Sequence, residues 1–320
     1  MARSDPHSLR PKHQKSAGDA DQTELAALRL GTAIVGAGSY DDRVASALDD
    51  FTADGHETEE WAQEDLTSDS AVGSIHEEIE RRKILLGDAY PFNLSNGSLS
   101  YQASPTRTYE FLLAAATATS LTAGDFKKLP RAFERLSCDL IALWLGGSTA
   151  VHTGWPRDRS VGSNFSAAMQ YVCQTFEEPH WKPQEHLPSN PGRGDHGLDF
   201  VIRKVAPDKR SIGQLFVLGQ CACGNDWTSK FEDLSLDRLR KWFHPFSHVP
   251  PVRAFATPHH VVDGWLYEAS ERAGLIFDRA RLTAIASSPE AAPVVVQYNS
   301  DFNALINLVL STGAGTTIAA

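Results

Sequence analysis

The stretch Gly194-Asp195-His196-Gly197-Leu198-Asp199-Phe200-Val201-Ile202 decides how this chain is read. Leu198 to Val205 has the composition of a strand, and the carboxylate of Asp199 opens it. Glycines at 194 and 197 let the backbone turn tightly just before that carboxylate. A second strand, Gln214 to Gln220, follows the turn Ala206 to Gly213, where Pro207, Asp208 and Gly213 suit a hairpin loop. In such a hairpin the start of the first strand lies beside the end of the second. Side chains alternate between faces, so Asp199 and Gln220 are predicted to converge at one end. Asp195 caps the turn in this reading, and His196 is a loop histidine.

Working outward, Leu129 to Leu145 carries Phe133, Leu136, Leu140, Leu143 and Trp144 at helical spacing. Gly146-Gly147 stop that helix. Ser148 to His152 alternates like a strand, and residues 156–194 are proline-rich loop around one short helix, Asn164 to Phe176. Downstream, Trp227 to Phe243 reads as a helix, Val252 to Thr257 as a strand, Val261 to Arg272 as a helix and Leu275 to Asp278 as a strand. A last helix is expected around Asp301 to Leu310. The order predicts an α/β fold with a mixed sheet flanked by helices.

Hard oxygen donors converging at a strand end suit Mg²⁺, which polarises a phosphate and lowers the pKa of water. Here the sequence resembles the PD-(D/E)xK nuclease superfamily, and within it the Mrr-like restriction endonucleases. Phe133-Glu134 on the helix, Gly194 to Asp199 at the first strand and Gln220-Cys221-Ala222 at the end of the second carry the resemblance, which covers residues 129–287. It implies a restriction-endonuclease-like core that hydrolyses DNA with Mg²⁺ or Mn²⁺, in restriction or antiviral defence. Glu134, Asp199 and Gln220 are the implied metal ligands and catalytic residues. The chain departs from the pattern at Ala222, where the motif lysine belongs. In this superfamily the lysine is sometimes carried by the following helix, which makes Lys230 the candidate to stabilise developing negative charge. Arg193, Arg203 and Lys204 flank the motif strands and are candidate phosphate contacts. Trp155, Trp181 and Trp227 are candidates for base stacking, although packing roles are commoner for tryptophan. Double-strand cleavage by this fold implies a possible homodimer.

The net charge is −10 over 320 residues, and its distribution is uneven. Residues 21–80 hold 16 acidic residues against two arginines, a local charge of −14. Apolar positions from Leu25 to Leu85 give this stretch helical character, so the acidic residues read as a solvated face or, more sharply, as a surface for a protein partner. The domain expectation is a disordered tail over 1–22, an acidic, mostly helical module over 23–125 and a nuclease domain over 126–320. A non-catalytic, nuclease-fold subunit of a larger defence assembly is the alternative reading, motivated by Ala222 and by the acidic segment.

Other chemistries find little support. Four cysteines are too few for a disulfide framework, and Cys221-x-Cys223 lacks the paired spacing of structural zinc sites. His259-His260 lacks a third ligand nearby. No phosphate loop or dinucleotide fingerprint is complete. No apolar run is long enough to span a bilayer and no signal peptide is evident, so the expected location is cytoplasmic.

Overall fold

The structure is a computed structural model that describes residues 6–35, 57–180, 196–210, 212–243 and 249–312, with side chains from 16 in the first helix and from 72 in the second. Its centre is a five-stranded mixed sheet, β4 (Thr149–His152), β5 (Phe200–Lys204), β6 (Leu215–Cys221), β7 (Val252–Ala256) and β8 (Leu275–Phe277), in that spatial order. β4, β5 and β6 are antiparallel neighbours, and β7 and β8 add in parallel. Each expected strand of the second half is therefore present.

Alternation along the strands sorts the core into two layers. Phe200, Ile202 and Val217 face the helix α4 (Lys128–Trp144), while Val201, Phe216 and Leu218 face the helix α5 (Phe165–Phe176). α4 forms because Leu129, Phe133, Leu136, Leu140 and Ile141 bury one stripe. It ends where Gly146 and Gly147 take positive φ, 79° and 70°. On the β7–β8 side, Phe255 and Ile276 pack with the helix α7 (Asp263–Ala273).

The N-terminal part contributes α1 (Pro6–Leu30), β1 (Thr32–Ile34), α2 (Glu57–Leu86), β2 (Phe92–Ser95), β3 (Ser98–Tyr101) and α3 (Thr108–Thr117). β1, β3 and β2 form a small antiparallel sheet. The β2–β3 turn is Asn96-Gly97, with φ of 51° and 73°, the conformation that two-residue hairpin loops require. Two expectations change here. Residues 6–22 lie in α1 rather than in a disordered tail, because Ala17, Ala20 and Asp21 are buried against the rest of the chain. Ile34, expected in a helix, ends a strand. The stretch Val44 to Phe51 lies outside the described residues.

The predicted boundary at residue 125 is crossed by continuous packing. Phe111 of α3 stacks on Phe302 of the C-terminal helix α9 (Asn299–Thr312), with ring centroids 4.4 Å apart. Ala20, Tyr109, Phe133 and Leu305 belong to one apolar cluster.

Charge also crosses the boundary. Arg82, fully buried, donates to Asp21 (2.7 Å), Glu24 (2.9 Å) and Glu78 (3.0 Å). Arg279, at the start of α8 (Arg279–Ala286), is equally buried and donates to both oxygens of Asp21, at 2.9 and 2.7 Å. Tyr90 and Tyr109 donate to the two oxygens of Glu24. Three acidic residues expected on a solvated face are thus interior. Their burial is tolerable because each meets a guanidinium or hydroxyl donor.

The expected helix over Trp227–Phe243 is not continuous. A short 3-10 turn, Trp227–Lys230, is followed by α6 (Leu236–Leu239), which Ser235 caps by accepting from Arg238 N. Trp227 and Phe231 pack under α7, whereas Leu234, Leu239 and Trp242 join the α5 layer. One straight helix cannot serve both layers. The break lies against Gly197, where φ is 73° and an added Cβ would sit 2.9 Å from the Asp233 carbonyl carbon.

Candidate active site

Asp199 immediately precedes β5 and is held by its own backbone. Its N–H donates to Gly219 O (2.8 Å), and its carbonyl accepts from Thr153 N (2.7 Å) and Gly154 N (2.9 Å). Its Oδ2 accepts from Cys221 N at 2.7 Å. The side chain is therefore aimed across the ends of β4, β5 and β6. Close approach of β5 and β6 requires Gly219, because the Phe200 ring fills the space a Cβ would occupy.

Glu134 reaches the same place from α4, and Gln220 from the end of β6. A pocket of 320 Å³ is lined by Glu134, Gly197, Asp199, residues 220–224, Asp226, Lys230 and Asp233. All four residues predicted as catalytic, Glu134, Asp199, Gln220 and Lys230, thus line one cavity. Asp199 and Gln220 are nearly buried, at 7% and 5% exposure.

The two carboxylates meet over Gly154. A Cβ built on that residue would lie 2.7 Å from Glu134 Oε2, 3.1 Å from Asp199 Oδ1 and 3.1 Å from His152 Nε2. The missing side chain leaves room for three polar atoms. His152 Nε2 itself lies 3.2 Å from Glu134 Oε2. Burial, reinforced by the neighbouring Arg135 charge, pushes His152 down to about 4, so its ring is neutral at pH 7. Neither His152 nor Gly154 stands out in the sequence. The alternation of Ser148 to His152 placed a strand there, but only the register His152↔Phe200 brings that strand end beside Asp199.

Lys230 occupies the rim. Its ammonium pairs with Asp226 (3.7 Å) and Asp233 (3.8 Å), and the side chain is 42% exposed. It arrives on the 3-10 turn rather than on a helix behind the sheet. Ala222, the position where a motif lysine was expected, lines the same pocket.

The cysteines fill space. Burial, then the charges of Asp199 and Glu134, pushes the Cys221 thiol well above its ordinary value, and burial with the same two carboxylates does so for Cys223. Both stay protonated and unreactive. His259 sits beside them with Nε2 3.1 Å from Cys223 O, and its ring stacks on Trp227. That leaves Trp227 buried and unsuited to bases. Trp155, one residue beyond Gly154, is 61% exposed.

Of the predicted phosphate contacts, Arg203 and Lys204 are not at this pocket. Arg203 and Lys204 lie at the far end of β5, about 13 Å from Asp199 along the strand. Arg203 donates to Phe176 O at 3.1 Å, with its guanidinium 5.0 Å from the Phe176 ring. Lys204 donates to Gly146 O at 3.2 Å. Arg193, Asp195 and Trp181 lie outside the described residues.

Among the described residues, no group of three or more His, Cys, Asp or Glu side chains is placed to hold a metal ion. No helix among them is long and apolar enough to cross a membrane. Comparison with protein families, curated proteins and solved structures returns no match to this chain.

Proposed function

We propose that this protein is a metal-dependent nuclease that hydrolyses the phosphodiester bonds of foreign DNA, with its reaction centre in the Glu134–Asp199–Gln220 pocket. One observation carries the reading. Residues from four separate elements, chosen on motif grounds as Glu134, Asp199, Gln220 and Lys230, line a single polar cavity at the end of the sheet.

The donor set fits a hard divalent cation. Glu134 Oε2 and Asp199 Oδ1 crowd the same point above Gly154, and the Gln220 amide supplies a third oxygen donor on the pocket wall. Glu134, Asp199 and Gln220 would hold Mg²⁺ or Mn²⁺. When bound, such an ion polarises a phosphate and makes water a better nucleophile at neutral pH. The chain's own residues do the rest. The hydrogen bond from Cys221 N fixes the rotation of the Asp199 carboxylate. Lys230 stands where a phosphate entering from the rim meets a cation, opposing its negative charge. Trp155, exposed beside Gly154, and Arg157, with its guanidinium 5.9 Å from the Trp155 ring, provide a stacking face and a cation for the flanking nucleotide.

The test is incubation of the protein with supercoiled plasmid and Mg²⁺ or Mn²⁺. Nicking by the wild type and its loss in Asp199→Ala is the expected result. Absence of nicking with either ion, or equal nicking by the variant, overturns the reading. A non-catalytic, nuclease-fold subunit is the second reading, and the engagement of Lys230 by Asp226 and Asp233 favours it. That reading predicts DNA or partner binding without cleavage. Of the acidic segment over residues 21–80, Asp21, Glu24 and Glu78 are turned inward, and among the described residues a partner would meet Glu77 and Glu80.

A further inference from the structure

We propose that His152 is the positioning residue of this site: its Nε2–H donates to Glu134 Oε2 and fixes that carboxylate against Asp199 across the gap left by Gly154. The role as a positioner of a metal-binding carboxylate rests on the nuclease reading; the hydrogen bond itself does not.

The argument begins with the ring's two nitrogens. Nε2 lies 3.2 Å from Glu134 Oε2. Nδ1 is buried and has no hydrogen-bond partner. A doubly protonated imidazole has an N–H on each nitrogen and a singly protonated one has it on one of the two, so Nε2 lacks a proton only if the single proton sits on Nδ1. A proton on Nδ1 would bury a donor with nothing to receive it and would set the Nε2 lone pair against carboxylate lone pairs. Leaving a buried donor unmade is the costlier arrangement. The proton therefore belongs on Nε2, where the carboxylate accepts it.

The backbone makes this bond directional. His152 closes β4 opposite Phe200, and the next two amides, Thr153 N and Gly154 N, both grip the Asp199 carbonyl. Thr153 Oγ1 also donates to Leu198 O at 2.7 Å. The imidazole is thus clamped to the same strand end that carries Asp199. Glu134 comes from α4, a separate element with its own rotamers. Through His152, its orientation is set by the sheet rather than by the helix. An outer residue that orients an ion-binding carboxylate in this way typically changes metal affinity and activity together.

Two measurements on the full chain test the proposal. The first observes imidazole ¹⁵N resonances at pH 7, with His152→Gln identifying the signal by its disappearance. A ring protonated at Nε2, whose Nε2 resonance moves in Glu134→Ala, is expected. An Nδ1-protonated ring, or an Nε2 resonance indifferent to Glu134→Ala, overturns the proposal. The second measures Mn²⁺ binding by electron paramagnetic resonance, alongside urea unfolding of each variant. His152→Leu is expected to weaken Mn²⁺ about tenfold or more, as loss of an orienting partner does. His152→Gln keeps a donor at the same reach and is expected to restore binding to near the wild-type level. Equal binding by all three proteins, or equal loss in the glutamine and leucine variants, overturns the positioning role. Should His152→Leu fail to fold, the glutamine variant and the ¹⁵N spectrum still decide. Wild type that neither binds Mn²⁺ nor nicks plasmid overturns the nuclease reading instead, and the ¹⁵N result then judges the hydrogen bond by itself.

Discussion

Between α1, α2 and α8, Arg82 and Arg279 are each sealed from solvent among Asp21, Glu24 and Glu78. At the sheet end, Glu134 and Asp199 face a cavity, and its lysine stands at the rim in the company of two other carboxylates. The first cluster matches buried anions to buried cations through short hydrogen bonds. The second places two carboxylates side by side, with an amide N–H on Asp199 and an imidazole against Glu134. Charge that is matched internally holds elements together. Charge that is oriented but left facing a cavity is available to an incoming cation. Substitutions in the two clusters should therefore fail in different ways.

The largest effect is expected at Arg82. Removing it leaves Asp21, Glu24 and Glu78 short of a buried partner, and Arg82→Ala is expected to lose about 3–5 kcal/mol of stability. Urea unfolding measures this, and cleavage per folded molecule should be unchanged. A stability loss below about 1 kcal/mol would make the interior cluster no stronger than a surface pair.

The same cluster sets a pH dependence. Burial alone would raise the Glu78 carboxyl, but the hydrogen bond from His260 and the charge of Arg82 outweigh it and hold Glu78 at about 2, against an ordinary value of 4.5. A carboxyl lowered on folding contributes stability above its unfolded value and loses it as pH falls through the folded one. The window is therefore between about pH 4.5 and 2, and the loss there amounts to about 3 kcal/mol. Comparing the pH dependence of unfolding in wild type and Glu78→Gln isolates it: the variant's curve should be flatter in that window.

At the pocket, Gly154→Ala should spare the fold and damage the site. The added methyl meets the ends of Glu134, Asp199 and His152, all of them side-chain atoms rather than backbone, so the site gives way before the fold does. Stability is expected to change by less than about 1 kcal/mol, while cleavage falls roughly 100-fold, the usual consequence of a 1 Å misplacement of reacting groups. Plasmid nicking paired with a urea midpoint separates the two quantities.

Much of this contrast was legible in the sequence, and the exceptions share a cause. The five core strands, α4 and α5 announced themselves because alternation and helical spacing are local patterns. The convergence of Asp199 with Gln220 was also readable, because a hairpin fixes which strand ends meet. Glu134 could be placed only through the motif, since nothing local says which end of the sheet α4 approaches. His152 and Gly154 were missed because their importance depends on the β4–β5 register, a pairing between residues about fifty apart. The interior salt cluster was misread for a similar reason. Asp21, Glu24 and Glu78 look like a solvated face until Arg279, more than 250 residues from Asp21, is known to lie against them. The continuous helix at Trp227 failed because its apolar residues serve two different layers, which a one-dimensional pattern cannot separate.

Lys230 is where the two plans come closest, and it gives the smallest but most discriminating test. With a side chain 42% exposed and ion pairs at 3.7 and 3.8 Å, its bonds to Asp226 and Asp233 contribute at most about 1 kcal/mol. Lys230→Ala should therefore leave the urea midpoint almost unmoved. A lysine that meets the phosphate during cleavage is worth about tenfold in rate even where water screens it, the equivalent of about 1.4 kcal/mol. Lys230→Ala is thus expected to slow nicking about tenfold, and Asp226→Asn with Asp233→Asn should not slow it, because the freed ammonium can then turn wholly to the phosphate. Unchanged nicking in Lys230→Ala would assign the lysine to its two aspartates. Its role would then resemble that of Arg82, and the pocket would act through Glu134, Asp199 and Gln220 without a cation from the chain.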